Sequence, residues 1–248
     1  MDRPFARQTA IVTGAGSGLG AAIARALAGG GAHCVLAGRR PEALAETAAA
    51  IRAAGDQATA APTDVTQAAQ VELLAAAALA VAGRVDILVN AAGSFRLAPF
   101  EETSLELFES TLAVNLRGAF LCCRAVWPHM RQAGGGQMAN LSSVAAVRAF
   151  EGNSAYAASK AGLSGLSGVL ALEGRPYNIR VLTICPAATD TPAWTGQASE
   201  AVRAQMMPPE AVAAQVAWLL ATPRSLAFEP IVIGNFQDPW REGGKAEN

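Results

Sequence analysis

Short runs of consecutive apolar residues alternate along this chain with longer stretches whose apolar positions recur every three or four residues. The first pattern predicts strands buried on both faces, the second helices that bury one face. Strands are expected at 9–13, 34–37, 58–61, 87–89, 138–141, 180–185 and 231–233, and helices at 19–28, 41–54, 67–82, 105–109, 111–131, 156–173 and 209–220. Strand and helix in turn imply a parallel sheet covered on both faces. The expected fold is α/β: a single doubly wound, Rossmann-type domain with a seven-stranded parallel sheet. Two stretches break the alternation. Residues 189–207 form a connection of unusual length, which reads as a short lid, and the polar end at about 240–248 reads as a flexible tail.

The 248 residues suit one large domain, and no repeat or break in composition divides them. With 19 basic and 20 acidic residues the net charge is −1, which gives no electrostatic reason to expect nucleic acid or an anionic membrane as partner. The start has no apolar core of signal-peptide length, and the most apolar helical stretch, 68–83, carries Glu72 and is too short to span a bilayer. Cys34, Cys122, Cys123 and Cys185 have no zinc-ligand spacing, so no metal is expected. Cys34 and Cys185 lie in apolar runs and read as buried hydrophobes in a reducing, cytoplasmic setting. His33 and His129 read as surface residues without a catalytic part.

Three stretches carry candidate chemistry. Thr13-Gly14-Ala15-Gly16-Ser17-Gly18-Leu19-Gly20 leaves the first strand and opens the first helix, where glycines let backbone approach a pyrophosphate at a helix N-terminus. A purely structural glycine turn fits the same residues. The second strand runs into Gly38-Arg39-Arg40, where NAD-binding folds usually carry an acid for the ribose hydroxyl. A guanidinium suits a 2′-phosphate that a carboxylate would repel, so NADP(H) is expected ahead of NAD(H). The third stretch, 140–162, ends an apolar strand in Ser142 and Ser143 and then carries Tyr156 and Lys160 four apart on one helix face. Taken alone, that stretch also fits a strand cap followed by a surface i,i+4 pair.

Together these motifs resemble the short-chain dehydrogenase/reductase family, in its compact subtype, from about residue 9 to residue 233. T-G-A-G-S-G-L-G is similar to the family's T-G-x-x-x-G-x-G cofactor loop, Asn90-Ala91-Ala92-Gly93 to its N-N-A-G element, and Y-A-A-S-K to Y-x-x-x-K. Asn115 matches its catalytic asparagine, and Ser143, thirteen residues before Tyr156, has the family spacing that Ser142 lacks. Five motifs in order are specific where each alone is weak.

The resemblance implies an alcohol/carbonyl oxidoreductase with catalytic Asn115, Ser143, Tyr156 and Lys160. It implies cofactor contacts from Gly14, Ser17, Gly18, Leu19, Gly20, Arg39, Arg40, Asp64, Val65, Asn90, Ala91, Gly93, Tyr156, Lys160, Pro186, Thr189 and Thr191. It also implies a homodimer or homotetramer built on the helices at 111–131 and 156–173. Asp64 or Thr66 could equally cap the following helix. In the implied mechanism Lys160 and an oxidised nicotinamide lower the Tyr156 pKa, and Asn115 holds a water that links Lys160 to solvent.

One departure from the family pattern is Ala187, where the family has glycine, a strain if the backbone there needs positive φ. Another is the end F-E-P-I-V-I-G-N, which is loosely similar to NADPH-preferring members. Trp194, Met206 and Met207 either line a substrate pocket or pack the 189–207 segment onto the body. A non-catalytic cofactor-binding scaffold is the rival on the same fold, and an NAD(H)-dependent alcohol dehydrogenase the rival within the family. Epimerase relatives need a longer C-terminal domain, and dehalogenase relatives lack the glycine loop.

Overall fold

Strands whose residues are buried on both sides leave no face for solvent, and they pair in parallel because each is returned to the same end by a helix. In a computed structural model that describes residues 3–235, seven strands form one sheet in the order β3-β2-β1-β4-β5-β6-β7, every pairing parallel. They are β1 Thr9–Thr13, β2 His33–Gly38, β3 Gln57–Pro62, β4 Ile87–Asn90, β5 Gly136–Leu141, β6 Ile179–Pro186 and β7 Ile231–Ile233. The helices are α1 Gly18–Gly29, α2 Pro41–Ala53, α3 Ala68–Ala82, α4 Leu105–Leu112, α5 Ala119–Gln132, α6 Ser154–Gly174, α7 Glu200–Arg203 and α8 Pro209–Ala221. The expected tail at about 240–248 lies outside the described residues.

Two apolar clusters fill the two sides of the sheet. Val12, Leu36, Val89 and Leu182 face α1 and α8, while Ile11, Val35, Leu88 and Met138 face α3 and α5. The chain reverses its direction of winding between β1 and β4, so a crevice opens there at the C-terminal strand ends, where folds of this kind bind ligands.

The helix expected at 111–131 is not continuous. α4 runs to Leu112, residues Ala113–Gly118 make a π-helical turn, and α5 follows. The inserted turn carries Asn115, and such turns recur at functional sites. A Cβ at Gly118 would stand 2.7 Å from Val65 Cγ2, so this turn packs too closely for a larger residue.

The 189–207 segment is more ordered than an open loop. Its two ends are paired, with Asp190 N donating to Met207 O at 2.9 Å and Met207 N to Ala188 O at 3.0 Å. Arg203 pairs with Asp190 at 2.6 Å, and the short α7 lies inside the segment.

Candidate active site

Five parallel strands deliver their C-terminal ends to one edge, and the side chains there are tied together. Thr13 at the end of β1 accepts from the backbone N–H groups of Ala91 and Ala92, at 3.1 and 3.0 Å, and so fixes the turn after β4. That approach is possible only with glycine next door. Gly14 has φ +68, and a Cβ on it would lie 2.8 Å from Ala91 O. Gly20 is packed on the same turn: its Cβ would lie 2.3 Å from Gly14 O. Gly18, at φ +52, faces Thr191, whose Cβ would be 3.1 Å away.

Ser17 is the N-cap of α1, its side chain makes no capping bond, and the first turn holds no acidic residue. The first N–H groups of the helix thus face the crevice with a positive end and no competing carboxylate, which fits a pyrophosphate. Leu19 packs against the core beneath.

At the end of β2, Gly38 is in register with Pro62 of β3, and Arg39 and Arg40 stand exposed beyond it. Asp64 lies beside Arg39. Its carboxylate accepts from the Thr66 backbone N–H at 2.9 Å and from the Thr66 hydroxyl at 2.8 Å, and these bonds with the Arg39 charge hold it below the usual carboxylate range. Neither Asp64 nor Thr66 caps α3, whose N-cap is Gln67, because the Asp64–Thr66 turn closes before the helix begins. Val65 is buried.

Asn90 at the end of β4 is in register with Asn140 of β5, and its Nδ2 donates to Asn140 Oδ1 at 2.8 Å. Asn140 in turn donates to Ser167 on α6 at 2.8 Å, so a buried polar chain crosses from sheet to helix. Gly93 sits next to Asn115: the Asn115 Oδ1 accepts from Ser94 N at 2.7 Å, and its Nδ2 donates to Ser94 O and to Ser159 Oγ, both at 2.9 Å. With both N–H groups committed, the Asn115 carboxamide is a brace between the loop after β4 and helix α6. A water serving Lys160 would have to use its backbone carbonyl.

The two serines at the end of β5 point to different neighbours. Ser142 is spent on α6, donating to Lys160 O at 3.0 Å and so accepting from Ser164 Oγ at 2.8 Å. Ser143 Oγ accepts from Ala145 N at 3.1 Å and lies near enough to the Tyr156 phenol to lower its pKa. Lys160 is buried, donates to Leu141 O at 2.7 Å and holds its Nζ 5.5 Å from the centre of the Tyr156 ring. Burial pulls Lys160 down to about 8. Burial also pushes the Tyr156 phenol above its ordinary value, and only the Ser143 hydrogen bond opposes it. The expected lowering belongs to Lys160 and an oxidised nicotinamide together. The ammonium is itself desolvated and turned to a backbone carbonyl, so among the protein's own groups burial decides the phenol.

Pro186 ends β6, and Thr189 is buried, donating to Ala187 O at 3.0 Å. Ala187 carries no strain. The non-glycine residues with positive φ among those described are Arg7 and Asn178, and Ala187 N donates to Ile233 O at 2.8 Å in ordinary sheet fashion. Met206 and Met207 are buried and pack the segment down, whereas Trp194 lies against Phe95.

His33 is half-buried, its Nε2 paired with Thr59 at 2.8 Å, and burial lowers its pKa. It is not the surface residue expected, because it opens β2 beside β3. All four cysteines are free and buried, with Cys34, Cys122 and Cys123 pushed up to about 12 by burial.

Sequence reasoning missed Thr13, Ser159, Phe95 and Gln197. Thr13 and Ser159 stand inside recognised motifs and could have been found as polar residues on the buried side. Phe95 and Gln197 lie about one hundred residues apart and carry no local signal.

Residues 8–201 match the family model described as short chain dehydrogenase. The chain is 44% identical over 200 residues to a D-threitol dehydrogenase of Mycolicibacterium smegmatis, covering 79% of this chain and 77% of that protein. It is 35% identical over 229 residues to an NAD-dependent glycerol dehydrogenase of Listeria innocua, covering 88% and 89%. Among solved structures it is similar to a 7 alpha-hydroxysteroid dehydrogenase complexed with NADH and 7-oxo glycochenodeoxycholic acid, with TM-score 0.86, 28% identity and 93% of each chain covered. Parallel topology, glycine turn and Tyr156–Lys160 helix agree with these likenesses, and the chain belongs to the short-chain dehydrogenase family of oxidoreductases.

Proposed function

We propose that this protein is an NADP(H)-dependent oxidoreductase that interconverts an alcohol and the corresponding ketone or aldehyde, with Tyr156 as acid/base. The observation that carries this reading is the convergence of Ser143, Tyr156 and Lys160 at the end of β5, beside a glycine turn too tight for any side chain. When bound, the nicotinamide supplies or accepts the hydride.

Tyr156 takes the hydroxyl proton in oxidation and returns it in reduction. Ser143, close enough to the phenol to act on its pKa, hydrogen-bonds the substrate oxygen as charge develops on it. Lys160, with its pKa near 8, remains largely cationic at neutral pH, and together with the positive charge of an oxidised nicotinamide it would favour the phenolate that burial alone disfavours. Asn115 holds helix α6 and the loop after β4 in register, which keeps these groups aimed at one point.

The cofactor contacts follow the same edge: Gly14, Ser17, Gly18, Leu19 and Gly20 for the pyrophosphate, Arg39 and Arg40 for the 2′-phosphate, and Asp64 and Val65 for the adenine. Asn90, Ala91, Gly93, Pro186, Thr189 and Thr191 flank the nicotinamide half, with Tyr156 and Lys160. NADP is favoured because β2 ends in Gly38 with no carboxylate, followed by exposed Arg39. The NAD-dependent relative favours the second reading, NAD(H) use.

Fluorescence titration with NADPH and NADH separates the two. Tight NADPH and weak NADH binding is expected, and the pair Gly38→Asp with Arg39→Ala should reverse it, the loss for NADPH being about tenfold to a hundredfold. A Cβ at Gly38 meets Leu44 at 3.4 Å and the Gly16 nitrogen at 4.0 Å, both ordinary contacts, so the backbone there admits a side chain. Preference for NADH in the parent protein would reject the phosphate reading, and binding of neither would favour a non-catalytic scaffold.

The chain works as one domain, with 189–207 as its lid. It assembles as a homodimer or homotetramer through α5 and α6, which expose Phe120, Val169 and Leu172. A cytoplasmic location suits its four free, buried thiols.

A further inference from the structure

Above Tyr156 the loop after β4 meets the segment after β6, and one side chain joins them. Gln197 Oε1 accepts from Leu97 N at 2.7 Å, while its Nε2 donates to the carbonyls of Phe95 and Ala193 at 3.2 and 2.7 Å. The Phe95 ring is thereby wedged between two others. It meets the Tyr156 ring edge-on, with centroids 4.9 Å apart at 77°, and the Trp194 ring at 4.7 Å. The same loop is pinned further along, where Ala98 N donates to Gly152 O at 2.9 Å and Thr103 shares a hydrogen bond with Ser154 at 3.2 Å. The opposite side is closed at its base by the Asp190–Met207 pairing and the Arg203–Asp190 ion pair.

We propose that Gln197 is a positioning residue that sets substrate size: by clamping Phe95 and Trp194 over Tyr156 it limits the reacting pocket to short-chain alcohols and their carbonyl partners and excludes fused-ring ones. The inference rests on Tyr156 being the acid/base. A substrate whose oxygen reaches the Tyr156 hydroxyl carries its substituents past the Phe95 ring, because that ring touches the phenol. A wide substrate must therefore displace Phe95. Turning the ring away separates two aromatic contacts, and withdrawing it with its loop also breaks the Gln197 bonds to Phe95 O and Leu97 N. Gln197 thus holds the Phe95 backbone, and Tyr156 and Trp194 hold its ring. Specificity of this kind comes from the penalty against the wrong ligand as much as from attraction to the right one.

The test compares kcat/KM for isopropanol and D-threitol with that for cholate as a fused-ring alcohol, in the parent protein, Gln197→Leu, Gln197→Glu and Phe95→Ala. Gln197→Glu keeps the length and the acceptor at Leu97 but sets a carboxylate against two carbonyls, so it breaks the clamp if Gln197→Leu fails to fold. The parent is expected to favour the better short alcohol over cholate by at least about a hundredfold. Each variant should narrow that ratio about tenfold, chiefly through a gain in kcat/KM for cholate, with NADPH affinity unaltered. A parent that turns cholate over as readily, or variants that keep the ratio within about twofold, would overturn the proposal. Turnover retained in Tyr156→Phe, or absent for every alcohol in the parent, rejects instead the acid/base reading on which the proposal rests, and the proposal with it.

Discussion

Tyr156 and Lys160 are both held where their charged forms are costly, and this has two measurable consequences. Tyr156→Phe keeps the ring packed on Phe95 and removes only the proton carrier. Turnover should fall about a hundredfold to ten-thousandfold with cofactor affinity nearly unchanged, a prediction for steady-state kinetics paired with NADPH titration. Retained turnover would remove Tyr156 from the mechanism.

The second consequence concerns stability. Lys160 titrates near 8 in the folded protein and near 10.4 when unfolded, so between those values the unfolded chain holds more protons and stability rises with pH. Below about pH 8 both states are protonated and the folded state bears the full burial cost. Unfolding of the parent and of Lys160→Met by urea, from pH 7 to pH 10, should therefore show the parent gaining on the variant as pH rises. No change in the difference would mean that Lys160 is not desolvated. The Tyr156 phenol, pushed upward, acts in the opposite sense only above its reference value of about 10.

At the scale of elements, the turn from β1 into α1 is the least tolerant part of the site. A methyl group on Gly20 would collide with the backbone of Gly14, which no side-chain rotation relieves. Gly20→Ala is expected to cost about 1–3 kcal/mol of stability and to weaken NADPH binding together with it, as read by urea unfolding and titration. Gly29→Ala, where nothing lies within 4 Å, serves as the control and should leave cofactor binding alone.

Element boundaries show where local pattern suffices. β1 and β7 match expectation residue for residue, because apolar runs between turn signals admit one reading. The helix expected at 111–131 is interrupted without a sequence signal, because a π turn keeps the apolar pattern of a helix while shifting its phase, and single-sequence periodicity does not resolve one inserted residue. The interior of 189–207 reads as a connection because α7 has four residues, too few for a helical period to register.

For the whole molecule, the exposed apolar residues of α5 and α6 predict assembly. Val169 and Leu172 are 52% and 59% exposed on one face of α6, and a charge there should be costly only if that face is buried in an oligomer. Light scattering after gel filtration is expected to show a dimer or tetramer for the parent and a smaller species for Val169→Glu with Leu172→Glu. An unchanged mass would place the interface elsewhere.

What the sequence determined by itself was everything carried by spacing: the alternation of strand and helix, the glycine turn, the Tyr156–Lys160 face and the missing acid at Gly38. Each depends on residues a few positions apart, whose relation the backbone of a strand or helix already sets. The tertiary structure alone decided the rest. It assigned Ser142 to α6, relieved Ala187 of strain, set the Tyr156 phenol where burial raises its pKa and brought Gln197 onto the Phe95 loop. Those outcomes depend on desolvation and on contacts between segments remote in the chain, quantities that exist only once the sheet has brought its strand ends to one edge.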